Sequence, residues 1–462
     1  MEYKLNAQKL AKLGRVSEAV LREVRPSSEE RKAMTAKINT VMGRIKGLAP
    51  KGVEIMVAGS AARGTELRGN SDVDIFLLFN KPVPKERMEK VSVDVAKRMV
   101  KGRKNESYIV KYAEHPYARI LLDDIGLRID LVPAYKIRSA KEMATSVDRT
   151  QLHNEFIKSR LNKQQQDEVR LLKALLRFHS IYGAEARVEG FSGYLCELLI
   201  YTYGSFPKLL VAIANAKMPL VVDHSGEGLD PRQTAEKFEK KLVVIDPTDK
   251  ERNVAANVSD DSLARFVLLC RALLADPSLK SFNGEGYSDL HSGAKLSGIA
   301  RRLGVGLYAI AFKSDDIADE IVWQQLKRLM NSMASELSKL GFTPLLSLQE
   351  VVGTDAVIGF MINDFRKQYK LVIGPSALMR DAAASFALAH PAESVIFRSL
   401  ESDRLYVVEK ADCTTPEEAI RHLLKSVKIP SHFRRGMKLY VNAVPEGHAK
   451  MLYKAYWRKT SL

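Results

Sequence analysis

A chain of 462 residues and 51.6 kDa is longer than one ordinary core accommodates and fits about three domains. Its 46% apolar and 27% charged content is that of a folded chain rather than a disordered one. Lys+Arg 72 against Asp+Glu 55 leaves a net charge of +17, which favours a polyanionic partner, because each cation placed on a phosphate releases condensed counterions. No apolar run nears the roughly 18 residues a bilayer span needs, and the first twenty residues lack the apolar stretch of a signal peptide. Cys196, Cys270 and Cys413 are too scattered for a disulfide framework or a paired-cysteine metal site. A cytoplasmic protein without membrane attachment is expected.

In chain order, residues 1–50 read as two helices, the second starting where Ser27 and Ser28 precede Glu29 and Glu30. A short apolar run, 53–60, breaks at Gly59, and 71–79 (SDVDIFLLF) has the composition of a strand. A helix is predicted over 84–99, then strands at 107–113, 117–122 and 126–135, so residues 1–150 are α/β or α+β. From about 154 to 275 the pattern is mainly helical. The stretch 167–183 is predicted as a helix closed by Gly183, and 193–206 as a buried helix. Residues 223–252, polar and carrying Gly, Pro and Asp, read as a long loop or insertion. Beyond Pro277, Trp323, Leu326, Met330, Met333, Leu337 and Leu340 mark an amphipathic helix, and 395–400 with 404–410 a hairpin. From Arg421 to the last residue there are ten lysines and arginines against one acid, Glu446. Tyr453, Tyr456 and Trp457 lie among them, suited either to stacking on bases or to a core.

The segment from Gly59-Ser60 to Asp72-Val-Asp74 carries the chemistry. Residues two apart on a strand share a face, so Asp72 and Asp74 present their carboxylates side by side. Two such acids repel unless cations neutralise them, and hard oxygen donors on a strand suit Mg²⁺ with phosphate oxygens. The Gly59-Ser60 turn can bring backbone N–H groups and a hydroxyl against phosphates. A third acid, Asp130, is embedded in the apolar run 127–132, where a lone carboxylate is costly unless paired or metal-bound. Taken alone, D-x-D is a solvated strand end; with the turn and Asp130 it reads as a functional site for a metal ion and phosphate groups.

These residues resemble the signature of the DNA polymerase β-like nucleotidyltransferases and, more narrowly, of the archaeal-type (class I) CCA-adding enzymes. The narrower likeness rests on the ordered blocks 146–153, Leu172-Lys173 with Tyr182-Gly183, 190–199, and Asp246-Pro with 252–256. Gln151 departs from it, standing where the family has proline. The resemblance implies an α+β fold with a polymerase β-like palm at 1–153, a helical nucleotide-binding domain at 154–276 and a mixed α/β tRNA-binding body with a basic tail at 277–462. It implies template-independent addition of C, C and A to the tRNA 3′ end from CTP and ATP, releasing pyrophosphate. Asp72, Asp74 and Asp130 would be catalytic and hold two Mg²⁺ ions. Ser60 and Arg63 would contact the triphosphate; His153, Lys173 and Tyr182 would grip its oxygens; Arg252 would read the base. Lys173 and Tyr182, nine residues apart, need a bend or a helix end to converge. Read without the family, Arg63 and Lys173 are surface cations, Tyr182 a core residue and His153 a cap or surface histidine. Ser192 and Cys196 read as packing residues with no chemistry.

The implied partners are the 3′ end and upper half of tRNA, with Arg434, Arg435 and Lys438 among the residues that hold it, and a second copy of the chain in a homodimer. Two other functions fit parts of the pattern. One is a poly(A) or oligoadenylate polymerase of the same superfamily. The other, a non-catalytic RNA-binding protein on the same scaffold, has no need of three clustered acids.

Overall fold

The computed structural model describes residues 2–80, 82–112, 116–224, 228–282, 294–315, 317, 319–363, 365–392, 395–401, 403–433 and 436–460. Two compact units divide the chain, residues 1–284 and 285–461.

The first unit begins with α1 (Ala7–Val24) and α2 (Ser28–Leu48). Ser27 caps α2 and completes a reciprocal box with Glu30, the start predicted from the Ser-Ser-Glu-Glu run. A five-stranded sheet follows: β1 (Glu54–Ala58), β2 (Asp72–Phe79), β3 (Glu106–Tyr112), β4 (Pro116–Leu122) and β5 (Leu127–Tyr135), ordered β1-β2-β5-β4-β3. Between β1 and β2 runs the short α3 (Gly59–Arg63), and between β2 and β3 the longer α4 (Lys85–Val100). The β2–β5 pairing is the parallel one, and both strands are apolar on their two faces because both faces are covered. On one face Val73, Ile75, Leu77, Ile129 and Leu131 pack with α4 and with Val41 and Ile45 of α2.

The helical part holds α5 (Thr150–Lys158), α6 (Lys163–Phe178), α7 (Gly193–Tyr203), α8 (Phe206–Ala214), α9 (Pro231–Phe238) and α10 (Asp260–Ala275). Its core also takes Leu13, Val16 and Val20, so α1 and α2 serve different cores. Three predictions are corrected here. The helix over 167–183 stops at Phe178; Ser180 turns to positive φ, and Gly183 is not its cap but part of a bridge that pairs Tyr182 with Phe191. The buried helix predicted over 193–206 is present but ends at Tyr203, because Gly204 enters the left-handed region and Ser205 caps the next helix, which leaves at 92°. Residues 223–252 are not a loop: with α9 they form β7 (Leu242–Asp246) and β8 (Asp249–Asn253), joined in a small sheet by β6 (Leu220–Val222). The buried run Leu-Val-Val-Ile of β7 is diluted in the sequence by polar neighbours on both sides.

The second unit contains α11 (Ala294–Leu303), β9 (Val305–Lys313), α12 (Asp319–Lys339), β10 (Leu346–Val352), β11 (Asp355–Asn363), β12 (Tyr369–Ser376), α13 (Arg380–Ala389), β13 (Val395–Glu401), β14 (Arg404–Lys410), α14 (Pro416–Ser426), β15 (Lys438–Val441) and α15 (Glu446–Thr460). Its main sheet is β10-β11-β9-β15, and a smaller one, β12-β14-β13, contains the predicted hairpin. The stripe of α12 is core, as its spacing required: Trp323, Leu326, Met330, Met333 and Leu337 are buried. Tyr453 of α15 is buried with Leu307 and Met361, so the core reading holds for it, while Tyr456, half-buried, packs against that cluster. Among the described residues no single helix is long and apolar enough to cross a membrane; the apolar pair α7–α8 lies in the helical core.

Candidate active site

Strand alternation and the parallel register of β2 with β5 assemble the three acids. Asp72 and Asp74 share the face opposite Val73 and Ile75, and Asp74 pairs directly with Asp130 across the strands. Backbone geometry fits the first acid pair to the glycine: Gly59 has φ +73°, and a Cβ there would stand 2.2 Å from Asp74 Oδ2. Only glycine lets the chain turn against that carboxylate. Burial, and then the Asp130 carboxylate beside it, raise the Asp74 carboxyl above its ordinary value.

The other two acids are paired with arginines that sequence reasoning missed. Arg128 Nε donates to Asp72 Oδ1 at 2.8 Å, and Arg119 grips Asp130 in a two-pronged pair at 2.6 Å on each oxygen. The signal was present in the alternation, since Arg128 shares a strand face with Asp130 and Arg119 is its cross-strand neighbour. Among the described residues no three acids, histidines or cysteines stand within reach of one ion as they are. The donor set nonetheless fits a hard divalent cation: three carboxylates on adjoining strands, one of them penalised by burial and by a like charge.

A second cluster surrounds Glu197 on α7, fully buried. Its carboxylate lies 2.8 Å from Arg63 Nε and 3.7 Å from Lys173 Nζ and accepts the Thr65 hydroxyl. Lys173, 1% exposed, also donates to the Thr65 carbonyl at 3.1 Å. Burial lowers the Lys173 ammonium from its ordinary value. Burial opposes the Glu197 charge too, but Arg63 and Lys173 outweigh it and hold the carboxyl below its usual range. One acid thus faces two buried cations, a local positive excess suited to a polyanion. Tyr182 reaches the same place because α6 ends at Phe178: a Cβ on Gly193 would meet Tyr182 Oη at 3.2 Å and Lys173 Nζ at 3.7 Å. Arg63 and Lys173 are therefore buried, not surface cations.

The third cluster centres on Asp246, the buried last residue of β7. His153 Nε2 and Arg252 Nη1 each lie 2.8 Å from Asp246 Oδ2, and 3.5 Å from one another. The His153 ring stacks on Tyr194 at 3.7 Å and 15°. Burial holds the His153 imidazole below its ordinary value. Ser60 is half-buried at the second residue of α3, where its carbonyl accepts the Thr65 N–H at 3.1 Å. Gln151 donates to the Tyr135 carbonyl at 2.7 Å, tying α5 to the end of β5 as a proline side chain could not. Glu197, Tyr194 and Asp246 were not singled out as site residues; an acid within the apolar run 194–200 was the available sign for Glu197.

Residues 38–162 match the nucleotidyltransferase domain family, 167–283 the second domain of tRNA nucleotidyltransferases and 303–437 the C-terminal domain of CCA-adding enzymes. The CCA-adding enzyme of Archaeoglobus fulgidus is 36% identical over 380 residues, 80% of each chain. The chain belongs to the CCA-adding enzymes. That of Methanosarcina barkeri is 34% identical over 397 residues, 85% of each chain. Membership makes the five-stranded unit a polymerase β-like palm within an α+β fold and the chain a nucleotidyltransferase that adds CCA to tRNA. Nucleotidyltransferases of this superfamily use divalent metal ions.

Proposed function

We propose that this CCA-adding enzyme builds C, C and A in turn from CTP and ATP at the tRNA 3′ end, without a nucleic-acid template, releasing pyrophosphate. The observation that carries the reading is the register of β2 on β5, with Asp74 opposite Asp130, Asp72 two residues away and Gly59 against Asp74. Asp72, Asp74 and Asp130 would hold two Mg²⁺ ions, which supply charge neutralisation of the triphosphate and activation of the terminal hydroxyl. Arg119 and Arg128 hold the Asp130 and Asp72 carboxylates in orientation. The positive excess of Arg63 and Lys173 over Glu197 supports triphosphate binding there, with Tyr182 beside Lys173; Ser60, in the same short helix as Arg63, and His153, on the neighbouring Asp246 cluster, would supply further contacts. Arg252, anchored by one nitrogen and one-third exposed, would donate to base acceptors that cytosine and adenine share and uracil does not match.

By this reading residues 1–153 are the catalytic palm, 154–276 the nucleotide-binding domain and 277–462 the tRNA-binding body. A homodimer is part of the proposal, supported by the exposed apolar row Tyr369, Leu371 and Ile373 on the edge strand β12; sedimentation of the pure protein tests it. The deciding assay offers tRNA lacking CCA with each labelled nucleotide alone and in pairs. CTP alone should add two residues, and CTP with ATP three. Long adenylate runs from ATP alone would point to a poly(A) polymerase. Arg252→Ala should lower CTP and ATP incorporation and let UTP compete, because a lost hydrogen bond costs ~1–3 kcal/mol.

A further inference from the structure

Asp246 is 0% exposed, and a carboxylate so placed is costly unless every oxygen is satisfied. Its two oxygens divide the work. Oδ1 faces its own turn and α7: it accepts the Thr248 N–H at 2.9 Å, the Thr248 hydroxyl at 2.7 Å and the Tyr194 hydroxyl at 3.3 Å. Among the described residues, Oδ2 faces the two proposed to meet the nucleotide, His153 and Arg252. We infer that Asp246 is a positioning residue for nucleotide selection: its carboxylate holds the Arg252 guanidinium and the His153 ring in one orientation, and thereby sets which base the site accepts.

The physical reason lies in what a guanidinium does when free. Arginine offers five donors on a long stem, and a rotating fork can serve cytosine, adenine or uracil edges alike. Held through Nη1 to a buried, internally braced acid, the fork of Arg252 keeps one direction for its remaining donors. Preorganised donors discriminate because a mismatched partner cannot be accommodated by rotation. Tyr194 completes the brace, stacking under His153 while its hydroxyl reaches the same carboxylate. Burial holds the His153 imidazole below its ordinary value, against the opposing pull of the Asp246 carboxylate.

The inference rests on Arg252 as the base-contacting residue, and the test separates the two. Asp246→Asn is the informative change: the amide oxygen still serves Thr248, while its NH₂ group cannot accept from Arg252. Steady-state kcat/KM for CTP and for UTP is measured on tRNA lacking CCA, for wild type, Asp246→Asn, Arg252→Ala and the double variant. We expect Asp246→Asn to lower CTP-over-UTP preference by roughly tenfold, the effect of one misplaced charge-assisted hydrogen bond. KM for tRNA should stay unchanged, and the double variant should discriminate no worse than Arg252→Ala alone. If Arg252→Ala loses discrimination and Asp246→Asn keeps it, the inference is overturned and the base-reading role stands. If Arg252→Ala itself keeps it, the base-reading role fails. Additive losses in the double variant would also overturn the inference, since Asp246 would then act apart from Arg252. Should Asp246→Asn not fold, Thr248→Val loosens the carboxylate from the Oδ1 side and is read by the same criteria, with a smaller loss in the same direction expected.

Discussion

Gly59 and Asp74 show how closely backbone and chemistry are fitted at the palm. Gly59→Ala would force a Cβ to 2.2 Å from Asp74 Oδ2 and hold an L-residue at φ +73°. The left-handed conformation alone costs about 1–2 kcal/mol, and the clash must be relieved by moving the acid. The expected outcome is a modest drop in melting temperature with a disproportionate loss of nucleotide addition. A variant that melts lower but turns over normally would detach Gly59 from the site. For the acids themselves, Asp72→Ala, Asp74→Ala and Asp130→Ala are each expected to abolish addition while leaving tRNA binding, measured by filter retention, near wild type. At this scale the sequence was most legible where side-chain period alone decides placement, as for Asp72 and Asp74. It was least legible where a partner comes from far along the chain. Nothing near Asp130 announces Arg119 as its clamp except one residue of alternation in β4, and nothing near Glu197 announces Arg63.

Among elements, the Glu197 cluster is what ties α3 of the palm to α6 and α7 of the helical part, with Arg170 of α6 donating to the Glu66 carbonyl at 2.8 Å alongside it. Removing the acid strands two buried cations, and breaking a buried pair costs about 3–5 kcal/mol. Glu197→Gln should therefore lower the denaturation midpoint sharply, and Glu197→Gln with Lys173→Met should recover part of the loss. No recovery in the double variant would show that the two cations do not share the acid. The sign of the pH effect follows from the lowered Glu197 carboxyl: its stabilising contribution is present above the ordinary value of 4.5 and is lost as pH falls through its lower folded-state value. Urea titrations of wild type and Glu197→Gln should converge as pH drops below 4.5, and a constant gap would contradict the assignment. The elements most poorly read from sequence lie in this same region. Gly204 and Gly183 look equivalent as helix terminators, yet only Gly204 follows a helix directly. In β7, four apolar residues flanked by Lys240-Lys241 and Pro247 are too short a run to outweigh the polarity around them.

Across the whole molecule, the acids lie before residue 131 and the densest positive charge after residue 420, in different compact units. A polymerase needing only a 3′ end has no use for that separation, whereas a CCA-adding enzyme must recognise tRNA away from the bond being made. Of the three cations proposed to contribute, Arg434 and Arg435 lie outside the described residues, and Lys438 is exposed at the start of the edge strand β15. Such cations read backbone and shape, not base sequence. Every phosphate left without its cation takes ~0.7–0.9 off the salt slope of binding. Neutralising Arg434, Arg435 and Lys438 together should then raise KM for tRNA, flatten its dependence on salt by about two units or more, and leave KM for CTP unchanged. A minihelix too short to reach beyond the acceptor stem should be much less affected. The comparison decides between distance and proximity: if the minihelix loses as much as full tRNA, these residues act near the active site or through folding, and the reading of distant tRNA recognition by this segment is wrong.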